Sequence, residues 1–540
     1  MGAMMRRFFR ANWFTLLCVA FLFALPFVLF APVTLGGKTL LPADILYQYE
    51  PFKQLAGQFG ITRPQNDLLA DLVLENYEWK KFAIDSLRAG ELPLWNPNLF
   101  AGVPFLAAGQ HSMLYPLSIL YLIMPLAKAY GWFTVLNLAI AGLNMFIFMR
   151  TLKLGRGAAL IAAVIYELSG FMIVSVVFQM VIASAAWMPL ILAMCERIIR
   201  RNRTLSSVII GAAAIAMNIL AGHVEITIYT AMVAALFCIW RIASNREGAL
   251  KKSGWLLAMA LLGGALGAIQ IVPLFELVTR NFRSSGHSTL EQVMSYGFAP
   301  REVLNFLMPN FFGNPATHTY FDLFSGSWQA VQTASGNTHW GVKNYVEGGA
   351  YMSVFALLLA GIAVISAIRP VRSARPHRSE RRFPTFFFVI LAIFSVLFIF
   401  GTRAYALLFA LPGFSQLHSP FRWLYPLTLC VAALAGAGWQ IVQTTPRSRL
   451  VRVMAFVAGA FGAVLLMALV AARLAWPMAE KLVGAALARL LYADKAFTSP
   501  EMFFSYEAVN IGLFALMLLA SAGILVWVNR RGEAVPRPYI

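Results

Sequence analysis

The chain has 540 residues, 60% of them hydrophobic and only 12% charged, with a net charge of +20 and four cysteines. Apolar runs of roughly 18 to 22 residues recur along it, each long enough to cross the ~30 Å hydrocarbon core of a bilayer as a helix, which excludes a soluble enzyme. The positive excess sits in short segments between these runs, so it reports membrane orientation and argues against a nucleic-acid partner.

In chain order, the first run (Asn12 to Pro32) follows Arg6, Arg7 and Arg10. It is longer and more apolar than a signal-peptide core and lacks a small-x-small cleavage pattern, so it reads as a retained helix. Seven segments (1–11, 150–156, 196–204, 241–252, 369–383, 444–452 and 529–540) carry 26 of the 43 Lys and Arg residues against 4 Glu. Placing all seven in the cytoplasm satisfies the positive-inside rule. It predicts about twelve spans, at 12–32, 130–150, 157–177, 180–198, 205–221, 224–241, 255–275, 350–368, 384–401, 423–443, 453–475 and 506–528, with both termini inside.

The expected fold class is therefore an all-α polytopic membrane protein, one membrane-embedded unit over 1–540. Two long extracytoplasmic loops result, 33–129 and 276–349, and 369–383 is a basic cytoplasmic connector. The stretch 113–125 (MLYPLSILYLIMP) is short and contains Pro116, so it reads as a re-entrant or interfacial helix returning the first loop to the membrane. Residues 70–87 carry the mixed apolar pattern of a surface helix. Cys18, Cys195, Cys238 and Cys430 all lie in apolar runs, so no disulfide framework or Cys-type metal site is expected.

Several motifs fail their own tests. Gly36-Gly37-Lys38-Thr39 ends like a phosphate-binding loop, but Pro32 stands where the first glycine belongs. His223-Val-Glu225 has no partner histidine at helical spacing, so no zinc site is implied. Ionisable groups near membrane depth are costly and invite functional readings. Glu167 lies mid-span, while Glu225, Glu276, Arg403, His418 and Arg422 fall near the outer interface, where the first loop lands. Each alone is accounted for by snorkelling or a structural ion pair. Two arginines there could also hold a phosphate bidentately.

The first loop concentrates the polar chemistry. Asp44 lies a dozen residues past the first run, followed by Tyr47, Tyr49 and Glu50, and Asp71 repeats the pattern with Tyr77 and Glu78. A carboxylate there suits a general base taking the proton of an attacking hydroxyl. It equally suits a helix N-cap, and spacing leaves both open. Trp95 and Tyr115 offer apolar faces for a sugar or lipid, or belong to an interfacial aromatic belt.

The block LRAGELPLWNPNLFAGVPFLAAGQHSMLYPLSILYLIMP resembles the YfhO family of bacterial membrane proteins. So do LLPADILYQYEPF before it, AGHVEITIY at 221–229, KNYVEGGAYMSVFALLL at 343–359 and LHSPFRWLYPLTLCVAALAGAGW at 417–439. Members of that family look like GT-C glycosyltransferases, multi-spanning enzymes that take a sugar from a polyprenyl-phosphate carrier on the outer face of the membrane. The resemblance implies a GT-C-like fold in a bacterial plasma membrane, with Asp44 at the position of the catalytic base and Asp71 as a second acidic residue. It implies a polyprenyl-phosphate-linked sugar donor, an extracytoplasmic acceptor and membrane lipids as partners. The remaining candidates for substrate or lipid-phosphate binding are Arg403, Arg422, His418, His223, Glu225, Tyr49, Trp95, Tyr345 and Glu347. No cofactor is called for, and the lack of a clean DxD argues against a metal. A flippase for a lipid-linked saccharide and a non-catalytic assembly subunit are the alternatives.

Overall fold

The recurring apolar runs are expressed almost entirely as helix. A computed structural model of the chain describes residues 2–61, 63–280, 288–333, 335–368 and 383–531, with backbone alone for 2–11. The basic connector expected at 369–383 thus lies, apart from Phe383, outside the described residues. Among the described residues eight helices are long and apolar enough to cross a membrane, or up to ten if two bent pairs are each one span. They begin with α1 (Gly2–Leu29), α2 (Leu126–Thr151), α3 (Arg156–Val177), α4 (Gln179–Ile199) and α5 (Val224–Ser244). Then come α6 (Pro420–Thr444), α7 (Arg449–Leu474) and α8 (Pro500–Arg531).

All twelve expected spans fall on helix, but the count differs for two physical reasons. Thr204–Leu220 and Val354–Ile368 hold 17 and 15 residues, shorter than the ~20 of an upright span. The other two bend sharply, by 76° between Leu266 and Ala268 and by 106° after Ile399. Gly267 sits at the first bend, and Gly401, with φ +55°, ends the helix at the second. The stretch 113–125 forms only a short turn-and-helix, Pro116–Ser118 and Ile119–Ile123.

Helices α4 and α6 form the centre, with 83% of each buried, whereas α1 and α7 are 17% buried at the periphery. Small residues let the central helices approach closely. A Cβ on Gly438 of α6 would lie 1.9 Å from the Leu359 carbonyl oxygen, and one on Gly436 would meet Ala162 of α3 at 2.9 Å.

Helix α3 is broken just after the fully buried Glu167. Leu168 leaves helical geometry, and the Ser169 hydroxyl caps the next turn by accepting from Met172 N at 3.3 Å. The residues Gly349–Tyr351 press against this break: Gly170 N donates to Tyr351 O at 2.9 Å, and a Cβ on Gly170 would lie 2.7 Å from the Tyr351 backbone. The second long loop thereby reaches into the helix bundle. Its outer part folds around buried Trp340, packed with Phe312 and Phe497, and carries the hairpin β3–β4 (Thr319–Asp322, Ser327–Ala330). The first loop carries a smaller hairpin, β1–β2 (Trp95–Asn96, Val103–Pro104).

Candidate active site

Asp44 opens a short 3-10 turn, Ala43–Gln48. Its neighbour Ile45 is buried in a cluster with Leu69 and Leu72 of the same loop, against which pack Val177 and Phe178, at and just past the end of α3, and Val346 of the second loop. This leaves Asp44 half-buried on the wall of a cavity of about 480 Å³, with Tyr47, Gln48, Lys53 and Arg63 around it. Asp44 Oδ2 accepts from Gln65 N at 2.7 Å, which fixes the carboxylate.

Asp71 is exposed and precedes a π-helical stretch, Leu72–Tyr77, without capping it. One turn on, burial and then the Asp71 charge raise the Glu75 carboxyl above its usual range. The two form a carboxylate pair that sequence reading missed, although the i, i+4 spacing was visible.

A second cluster surrounds Arg422, at the start of α6. Arg422 Nη1 donates to Glu225 Oε2, and Glu225 Oε1 accepts from the Tyr229 hydroxyl at 2.7 Å. The Glu225 side chain is 7% exposed while Arg422 remains 34% exposed. His223 N-caps α5, its Nδ1 accepting from Ile226 N at 3.3 Å. Burial, with the Arg422 charge nearby, holds its imidazole well below the usual pKa. Lys343 Nζ lies 5.0 Å from the centre of the Phe421 ring, and Arg422 packs on the same ring at 5.9 Å, so two cations share it. Lys343 escaped the sequence reading even though it begins the KNYVE block.

His418 joins this cluster at one remove. It hydrogen-bonds the Ser288 hydroxyl through Nε2 at 2.6 Å and stacks on Tyr296, whose ring lies 5.7 Å from Lys343 Nζ.

The segment 343–347 connects the two clusters. Lys343 faces Phe421, Asn344 exchanges two 2.9 Å hydrogen bonds with Asn66 of the first loop, and Val346 packs against the cluster of Ile45, Leu69 and Leu72. Tyr345 and Glu347 are half-buried within it. The fold therefore forms two clusters, Asp44 with its first-loop neighbours and Arg422 with Glu225, His223 and His418, linked by the segment that holds Tyr345 and Glu347. It leaves Arg403, Tyr49 and Trp95 exposed, with Trp95 lying flat over Gly102. Tyr115 is buried, donating to Asn137 Oδ1 at 2.7 Å and accepting from Trp187 Nε1 at 3.1 Å. Glu276 forms an exposed pair with Arg280 at 3.1 Å. Among the described residues no group of three or more His, Cys, Asp or Glu side chains could hold a metal ion.

Residues 110–331 match the family model of the bacterial membrane protein YfhO. The matched stretch includes His223 and Glu225; Asp44, Lys343 and Arg422 lie outside it. A comparison with curated proteins finds no match. Among solved structures, the chain is similar to ArnT from Cupriavidus metallidurans, determined bound to undecaprenyl phosphate. The identity is 17% and the TM-score 0.37, over 84% of this chain and 73% of that one, too distant to assign a shared activity.

Proposed function

We propose that the protein is a membrane glycosyltransferase of the GT-C type that moves a monosaccharide from a polyprenyl-phosphate carrier to an acceptor outside the plasma membrane. The observation that carries this reading is the segment 343–347, which links the loop holding a fixed carboxylate, Asp44, to a pair of partly exposed cations, Arg422 and Lys343. Asp44 takes the proton of an acceptor hydroxyl as its oxygen attacks the anomeric carbon. The bond from that carbon to the phosphate oxygen breaks, and the carrier phosphate leaves with the electron pair. Arg422 and Lys343 stabilise the charge that develops on the leaving phosphate, Arg422 through its free N–H groups. Glu225 is a positioning residue, holding the guanidinium from behind. Asp71 orients the acceptor. One displacement inverts the anomeric centre. The charge pattern supports this reading, with both termini in the cytoplasm and the site on the outer face, where no nucleotide sugar is available.

The test is sugar release from a radiolabelled polyprenyl-phosphate monosaccharide pool, in membranes with wild-type protein or Asp44→Asn at matched expression. Transfer into a wall, lipid or protein fraction is expected with wild type alone, with a loss of about 10²- to 10⁴-fold in the variant. Transfer at the normal rate by Asp44→Asn would remove Asp44 as the base.

The two bent helix pairs support a second reading, a flippase for the same lipid-linked saccharide, because broken helices are the usual device for a site at membrane depth. Label that stays on its carrier but changes leaflet would establish it.

A further inference from the structure

A second feature lies on the far side of the first loop's entry into the membrane. Along α1, the side chains of Leu16, Ala20, Phe23, Ala24 and Phe27, with Trp132 of α2, enclose a groove of about 600 Å³ with an apolar wall. Phe23 stacks on Phe27 at 5.5 Å, and Phe27 meets Trp132 edge-on at 5.4 Å, a short aromatic ladder along its upper part. From Leu16 to Phe27 the helix rises ~17 Å, close to the ~15 Å half-thickness of a bilayer's hydrocarbon core. Trp132 donates through Nε1 to Thr34 O at 3.1 Å, which places an indole at the level where tryptophans meet headgroups.

Directly beyond Trp132 stands the Gly36-Gly37-Lys38-Thr39 turn that the sequence could not assign. Lys128 Nζ donates to Gly36 O, and the Thr39 hydroxyl donates to Ala127 O at 2.7 Å, so Lys38 and Lys128 occupy one patch. Lys38 is exposed, and the space around Gly37 is open, with no atom within 4 Å of an added Cβ. No acidic residue occurs in 1–43 or 92–166, the segments that build this region.

We propose that the groove and the basic turn form a binding site for an anionic phospholipid of the outer leaflet. One acyl chain lies along Leu16 to Phe27, and the phosphate meets Lys38 and Lys128. The apolar wall suits hydrocarbon, and the two lysines beyond it suit an anionic headgroup. The groove shares no residue with the cavity at Asp44 and lies on one of the two least buried spans, so this lipid is distinct from a donor at Asp44 and steadies α1 against α2.

The experiment is thermal unfolding of the full-length protein in detergent with phosphatidylglycerol, phosphatidylcholine, a polyprenyl monophosphate or inorganic phosphate added. Native mass spectrometry counts retained lipid. A saturable rise in Tm with phosphatidylglycerol alone is expected, reduced at least tenfold in apparent affinity by the double variant Lys38→Gln/Lys128→Gln. Ala24→Trp, which fills the groove without touching a charge, should abolish it, and it serves as the test if the lysine variant does not fold. Equal gains from phosphatidylcholine, or gains that survive both variants, would reduce the groove to ordinary annular lipid and overturn the proposal. A response to polyprenyl monophosphate but not phosphatidylglycerol would reassign it to the carrier. A response to inorganic phosphate alone would leave an adventitious ion only.

Discussion

Glu196 and Glu225 are both buried carboxylates held by arginine: Glu225 stands in the first turn of α5, and Glu196 of α4 pairs with Arg241 at the other end of α5. Glu196, 0% exposed, receives Arg200 Nε at 2.6 Å on one oxygen, and Arg241 bonds to both oxygens, through Nη2 at 2.6 Å and Nε at 2.8 Å. Both arginines are largely covered. At the other end Glu225 has one arginine and one tyrosine, and a third of that arginine faces outward. The first arrangement spends its charges on itself and ties α4 to α5. Among the described residues the second leaves guanidinium N–H groups unused near Lys343, which is what an anion-binding site needs and a structural pair does not. An ion pair at a helix end is therefore read by how completely it is closed.

The largest effect that separates the two ends is expected for Glu196→Ala. It strands two covered arginines and should cost about 3–5 kcal/mol of stability, seen as a lowered unfolding midpoint or a loss of folded protein in detergent. Arg422→Lys should act on binding instead. It keeps the charge but loses the fork, so KM for a polyprenyl-phosphate sugar should rise about tenfold to a hundredfold, the equivalent of roughly 1.5–3 kcal/mol. An unchanged KM with a lowered midpoint would make Arg422 a structural residue like its counterparts at Glu196.

Lys80 sharpens the contrast, being a buried lysine that pairs with no carboxylate among the described residues. Its Nζ donates to His111 O at 2.9 Å and lies 4.6 Å from the centre of the Tyr121 ring, and burial lowers its pKa to about 7 from the ordinary 10.5. Between those two values the unfolded chain holds the proton and the folded one does not, so stability rises with pH across that window. Lys80→Met should therefore gain most in Tm over wild type below pH 7, with the difference shrinking toward pH 10. A pH-independent difference would show that Lys80 stays charged in the fold. The smallest effect is expected at Arg403, which is exposed and pairs with no carboxylate among the described residues. Arg403→Gln should leave stability within about 0.5 kcal/mol and the KM for donor unchanged. A tenfold rise in that KM would move the phosphate site from Arg422 to Arg403.

Much of this was legible in the chain itself. Run length and charge placement determined a polytopic helical protein and the location of its polar loops, because the cost of exposing backbone polar groups and charges to hydrocarbon acts on each segment separately. The candidacy of Asp44 followed from its place just after the first run, and that of Arg422 and Glu225 from their positions at span ends. Which helices fall short or bend, and that Glu167 ends a broken one, was decided by tertiary packing. Gly267, Gly401 and the clasp of Tyr351 on Gly170 act through neighbours remote in sequence. The same holds for the site. Only folding placed Lys343 beside Arg422, paired Asn344 with Asn66, turned Arg403 outward and sank Tyr115 into the core. Each of these rests on contacts between residues tens to hundreds of positions apart, which local composition and periodicity cannot specify.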